Sequence, residues 1–162
     1  MPKGNVTYTK DNEYYTPSSV IDYFKNIYGE FDYDPATTKE KAQEFNLVKF
    51  DTIETNGLNQ DWTKYKRIWI NPPFTDKHLF IRKAVETYRE VKNDIFILVP
   101  IEFLTTNRFY SLAQSFKLFI PSGRVKFESG LGKDSKSPAF GSVILKLEDE
   151  NSVEYLDKSL LF

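Results

Sequence analysis

Asp94 opens the run Ile95-Phe96-Ile97-Leu98-Val99, five large apolar residues with no polar side chain to turn toward water. A half-exposed strand alternates apolar and polar residues. An unbroken run of this kind therefore belongs to a strand covered on both faces, as in a parallel sheet with helices above and below. A second segment repeats the theme. Arg67-Ile68-Trp69-Ile70 is β-branched and aromatic and is halted by Pro72 and Pro73, which leaves Asn71 at a strand's carboxyl end. Between the two, Asp76 can cap a helix from Lys77 to Val91, with Phe80, Ala84, Tyr88 and Val91 as its apolar stripe. Strand, helix and strand in this order predict an open α/β sheet in three layers, and such sheets bind ligands at the carboxyl ends of their parallel strands.

The flanking sequence extends the pattern. Thr16 followed by Pro17 signals a helix start, Gly29 a stop, and Val20, Ile21, Phe24, Ile27 and Tyr28 recur between them at helical spacing. Phe31-Asp32-Tyr33-Asp34 alternates and ends at Pro35, which predicts a short strand and a turn, with a polar helix following from Lys39 to Phe45. After the central run come a weaker helix near Arg108 to Ser115 and strands at Lys117 to Ile120, Arg124 to Phe127 and Ser142 to Leu147. A polar loop with Gly130, Gly132, Ser135, Ser137 and Pro138 predicts that the last two strands form a hairpin. The expected fold is one α/β domain over residues 1–162, mostly parallel, closed by antiparallel C-terminal strands.

Composition narrows the chemistry. With 14 Phe and 10 Tyr the chain has ample material for a core, which excludes the disordered class. Lys and Arg total 22 against 23 Asp and Glu, so the net charge of -1 gives no global attraction for a polyanion, and any nucleic-acid contact must be local. The absence of cysteine removes thiolate nucleophiles and cysteine-ligated metals, and the single histidine, His78, rules out a multi-histidine metal site. The amino terminus lacks an apolar stretch of signal-peptide type and no apolar run is long enough to span a bilayer, so the chain reads as unexported and free of the membrane. Basic residues cluster at Lys64, Lys66 and Arg67, at Lys77, Arg82 and Lys83, and at Arg124, Lys126, Lys133 and Lys136. Such clusters are most often solvated faces. The third is the best candidate for DNA because it flanks the expected hairpin.

Asn71-Pro72-Pro73-Phe74 carries the sharpest chemical signal. An exocyclic aromatic amine such as N6 of adenine is a poor nucleophile because its lone pair is delocalised into the ring. Two acceptors aimed at its hydrogens localise that pair. The Asn71 side-chain oxygen and the Pro72 carbonyl can supply them, and the two prolines hold both in extended geometry before a substrate arrives. Phe74 offers an aromatic face on which a flipped base can stack.

With these motifs in view, the chain resembles the phage-type DNA N6-adenine methyltransferases. Tyr15-Thr16-Pro17, Phe31 to Ala36, Asn56-Gly57-Leu58 with Trp62, Trp69 to Phe74, the Pro100 strand end and Gly123 to Phe127 occur in the family's order. The resemblance implies a Rossmann-like methyltransferase sheet, S-adenosylmethionine as cofactor without any metal, and DNA as partner with its target adenine flipped out. A phage-encoded enzyme of this kind would work in the cytoplasm of the bacterial host. It further implies Asn71, Pro72, Pro73 and Phe74 as catalytic residues. Thr16 and Pro17 would lie near the methionine end of the cofactor, Asp32 and Asp34 near its polar groups, and Asn56 near its adenine, with Tyr15, Pro35 and Ala36 also among the cofactor-binding residues. The glycine-rich turn common in such sheets is replaced here by Asp34-Pro35-Ala36-Thr37. Methylation of RNA or of a protein glutamine, or a silent binding module on the same fold, are the competing readings.

Overall fold

The computed structural model describes residues 14–129, 135–136, 141–157 and 159. Helices α1 (Ser18–Tyr28), α2 (Lys39–Glu44), α3 (Lys77–Val91) and α4 (Asn107–Tyr110) alternate with strands β1 (Tyr14–Tyr15), β2 (Arg67–Ile70), β3 (Asp94–Pro100), β4 (Ser115–Pro121), β5 (Phe127–Ser129), β6 (Ser135–Lys136), β7 (Ser142–Glu148) and β8 (Ser152–Leu156). The main sheet has the order β2-β3-β7-β4-β8. β2 and β3 are parallel, β7 is antiparallel to both β3 and β4, and β8 is parallel to β4, so β7 alone runs against the other four. Parallel bridges Tyr33 to Ile68 and Asp34 to Phe50 continue the order beyond β2.

Period-2 alternation sorts the strand residues between two cores. Ile68, Ile70, Ile95, Ile97, Val99, Val143 and Leu145 face α3, where Phe80, Ile81, Ala84 and Val85 cover them. Trp69, Phe96, Leu98, Phe119 and Ile144 face α1 through Val20, Ile21 and Phe24. Each apolar run is thus buried on both sides, and the three expected layers are present.

The expected hairpin between the segment ending at Phe127 and Ser142–Leu147 does not form. β5 pairs instead with β6 and with β1 in a separate three-stranded antiparallel sheet, while β7 sits between β3 and β4. The reason is composition: β7 is buried over Ser142 to Leu147 and needs cover on both faces, which a surface hairpin cannot supply. The expected helix near Arg108 is displaced toward the amino terminus, as a 3-10 turn Ile101–Thr105 and a single α-turn capped by the Thr106 hydroxyl. β8 carried no clear sequence pattern, because as an edge strand it leaves Val153 and Tyr155 exposed.

Helix direction positions the site. Gly29, with φ 102°, ends α1 against the Arg67 guanidinium at the start of β2, so the opposite end of α1 lies at the carboxyl edge of the sheet. α3 starts just after the β2 tip and also descends from that edge. No helix among the described residues is long and apolar enough to cross a membrane.

Candidate active site

Asn71 to Phe74 continue β2 beyond the sheet, with Pro72 buried and Asn71, Pro73 and Phe74 partly exposed. Asp76 N-H donates to the Pro73 carbonyl at 3.2 Å, turning the chain into α3. The Asp76 side chain makes no capping bond, contrary to its expected role. Lys77 does more. Its ammonium donates to the Phe74 carbonyl at 3.0 Å and lies 5.9 Å from the Phe74 ring centre and 5.8 Å from that of Phe103. Phe103 sits in the turn that follows β3, so one cation links the tips of the two parallel strands. Partial burial and the nearby Arg108 hold its pKa below the ordinary lysine value.

Alongside β2, the parallel bridge at Tyr33 brings Asp34, Pro35 and Ala36 level with the strand's carboxyl end. The Asp34 carboxylate is buried and accepts the Ala36 N-H at 2.9 Å, while the Asp34 carbonyl accepts Asp51 N-H at 2.9 Å. Burial pushes the Asp34 carboxyl up to about 7, and the Ala36 bond opposes that rise only in part. Tyr33 donates to Asp51 Oδ2 at 2.5 Å and stacks on Tyr65 with ring centres 4.1 Å apart, which fixes the turn from beneath. The loop after residue 55 lies directly on it: a Cβ added to Gly57 would stand 2.1 Å from the Pro35 carbonyl oxygen. Trp62 Nε1 donates to the Gly57 carbonyl at 2.8 Å and holds that contact from inside the core.

The third contribution comes from the start of α1. Thr16 does not cap the helix, which begins at Ser18 with Pro17 in the cap position. Its hydroxyl is buried and has no hydrogen-bond partner among the described residues. The Ser142 hydroxyl is in the same condition where β7 begins, opposite Pro100. Buried hydroxyls are normally satisfied, so two such groups at the carboxyl edge suit a polar ligand.

Of the residues singled out from sequence, Thr16, Pro17, Asp34, Pro35, Ala36, Asn56 and Asn71 to Phe74 converge on this edge, with Tyr15 in β1 beside Thr16. Asp32 does not. Its two carboxylate oxygens accept the N-H groups of Lys66 and Arg67, both at 2.8 Å, where β2 begins. Asn56 is exposed in a left-handed conformation, and its side-chain oxygen accepts Leu58 N-H at 3.2 Å. Arg124 and Lys126 are exposed on either side of the buried Val125, Lys136 falls in β6, and Lys133 lies outside the described residues. Sequence reasoning missed Ser142, whose isolated hydroxyl leaves no pattern, and it left Lys77 on a solvated face. The three-residue spacing from Phe74 to Lys77 was the available signal.

Residues 3–157 match the family model described as DNA N-6-adenine-methyltransferase (Dam). The chain belongs to this family. Among known relatives of this Dam-family chain, the DNA N-6-adenine-methyltransferase of Escherichia phage T1 is 40% identical over 87 residues, a match covering 54% of this chain and 35% of the phage protein. A crystal structure of a candidate class I S-adenosylmethionine-dependent methyltransferase from Listeria monocytogenes superposes with a TM-score of 0.50 and 14% identity, over 90% of this chain and 68% of that one. At that identity the likeness is one of fold, and it agrees with the Rossmann-like sheet.

Proposed function

We propose that this protein transfers a methyl group from S-adenosylmethionine to N6 of adenine in DNA. The observation that carries this reading is Asn71-Pro72-Pro73-Phe74 at the tip of a parallel strand, beside a buried acidic turn, in a member of the Dam family. The residues at the edge suit such a cofactor. Thr16 offers a hydroxyl with no partner among the described residues, Asp34 a buried carboxyl, and Gly57, lacking a side chain, lets its loop close directly onto the Pro35 turn. Tyr15 to Pro17 would hold the methionine end, Asp34 to Ala36 the polar groups, and Asn56 the adenine once its oxygen is released from Leu58. When bound, the cofactor supplies an electrophilic methyl group.

The chain's own residues do the rest. The Asn71 side-chain oxygen and the Pro72 carbonyl accept the two N6 hydrogens and so turn the nitrogen lone pair toward the methyl group. Both acceptors are neutral and weakly basic, so the proton that N6 sheds passes to water. Phe74 stacks on the extrahelical base and keeps the amine within reach. Arg124 and Lys126 are exposed and suited to DNA phosphates.

Tritium transfer from labelled cofactor tests the reading. Incubation with plasmid DNA, bulk RNA and protein should place label in DNA, recovered as N6-methyladenine after digestion to nucleosides. Label confined to RNA or protein would contradict it.

A further inference from the structure

Between α3 and the segment from Phe103 to Leu112 lies a cavity of about 270 Å³ that takes no part in the chemistry above. Phe103 forms part of its floor, and His78, Arg82, Arg108, Glu86 and Arg89 contribute to its rim. Arg89 is committed to the fold, donating to the carbonyls of Leu112 and Ala113 at 2.8 and 2.9 Å and to the Gln114 side-chain oxygen at 3.3 Å. Arg108 Nη1 lies 3.2 Å from His78 Nδ1. A guanidinium can only donate, so Nδ1 accepts and the imidazole holds Arg108 over the opening. Among the described residues neither Arg82 nor Arg108 has a carboxylate within salt-bridge distance. Glu86 is the one acid on the rim and is exposed to water one helical turn from Arg82. The cations outnumber it.

The position of this cavity gives it meaning. His78 directly follows Lys77, the residue that holds Phe74, and Phe103 both contacts Lys77 and lines the cavity. The cationic rim therefore begins where the base-stacking edge ends. The chain as a whole has a net charge of -1, so a polyanion can be gripped only at such a local excess.

We infer that this groove is a second DNA-contact surface, in which Arg82 and Arg108 each neutralise a backbone phosphate beside the flipped adenine while His78 positions Arg108. The inference rests on the functional reading above. Partial burial first, then the charges of Arg108 and Arg82, hold the His78 pKa below its ordinary value, a field that a bound phosphate would relieve. Both arginines are exposed, so the pair can be neutralised without opening the core.

Fluorescence anisotropy with a short adenine-containing duplex, run without cofactor across a salt series, tests this directly. The double variant Arg82→Gln/Arg108→Gln should bind roughly tenfold more weakly at low salt and flatten the slope of log affinity against log salt by about two. The matched pair Lys39→Gln/Lys49→Gln, exposed lysines elsewhere, should leave the slope near that of the parent. His78 is the sole histidine, so its imidazole resonance in the parent protein should also shift on adding duplex. An unchanged slope in the arginine variant would overturn the groove while leaving the methyltransferase reading intact. A resonance that moves with inorganic phosphate but not with duplex would make the cavity a free-anion site and overturn it too. Absence of duplex binding by the parent would sink the functional reading and the groove together.

Discussion

A buried acid at a strand tip has a measurable signature. Burial pushes the Asp34 carboxyl from the ordinary 3.8 up to about 7 in the folded protein. Between these values the folded state binds more protons than the unfolded state. Its favourable contribution is therefore fully present below about pH 4 and is lost as pH rises through about 7. His78 works in the opposite sense, because its lowered pKa makes folding less favourable as pH falls below the ordinary 6.5. Comparison with a variant separates the two. Relative to Asp34→Asn, the parent should lose on the order of 1–4 kcal/mol between pH 4 and pH 8, read from urea unfolding at each pH. Parallel curves for the two proteins would show that Asp34 ionises freely in the fold.

At the scale of elements, the site depends on how strand tips are tied to the helices that follow them. Lys77 ties β2 to the turn after β3 through the Phe74 carbonyl and two rings. Lys77→Met keeps the bulk but removes the charge and the donor. We expect a loss of about 1 kcal/mol in stability and a raised KM for DNA with kcat less affected, because Phe74 loses its fixed position. Lys77→Arg should restore most of the difference, and a Met variant with parental KM would remove Lys77 from the site. Local patterns made β2, α3 and β3 legible in the sequence, because each is a continuous apolar or periodic run, and prolines stop both strands. The pairing of β5 with β1 and β6 was not legible, since strands of two or three residues carry no period and β1 lies far from β5 in sequence. Thr16 illustrates the same limit. It reads as a helix cap, and only the helix start at Ser18 frees its hydroxyl.

For the whole molecule, the sheet's polarity brings these parts together. β2, β3 and the Tyr33 segment run parallel, and α1 and α3 both descend from the edge where those strands end. Residues some fifty positions apart, such as Thr16 and Asn71, reach one edge through topology alone, which is why motifs legible singly could be joined only in three dimensions. The central claim is that Asn71 at that edge polarises the adenine amine, and single-turnover methylation with saturating cofactor and DNA tests it most directly. Asn71→Ala, shown by circular dichroism to retain the fold, should lose roughly 2–4 kcal/mol of transition-state stabilisation, about thirty- to nine-hundredfold in rate. Methylation by the folded variant at near the parental rate would contradict the account.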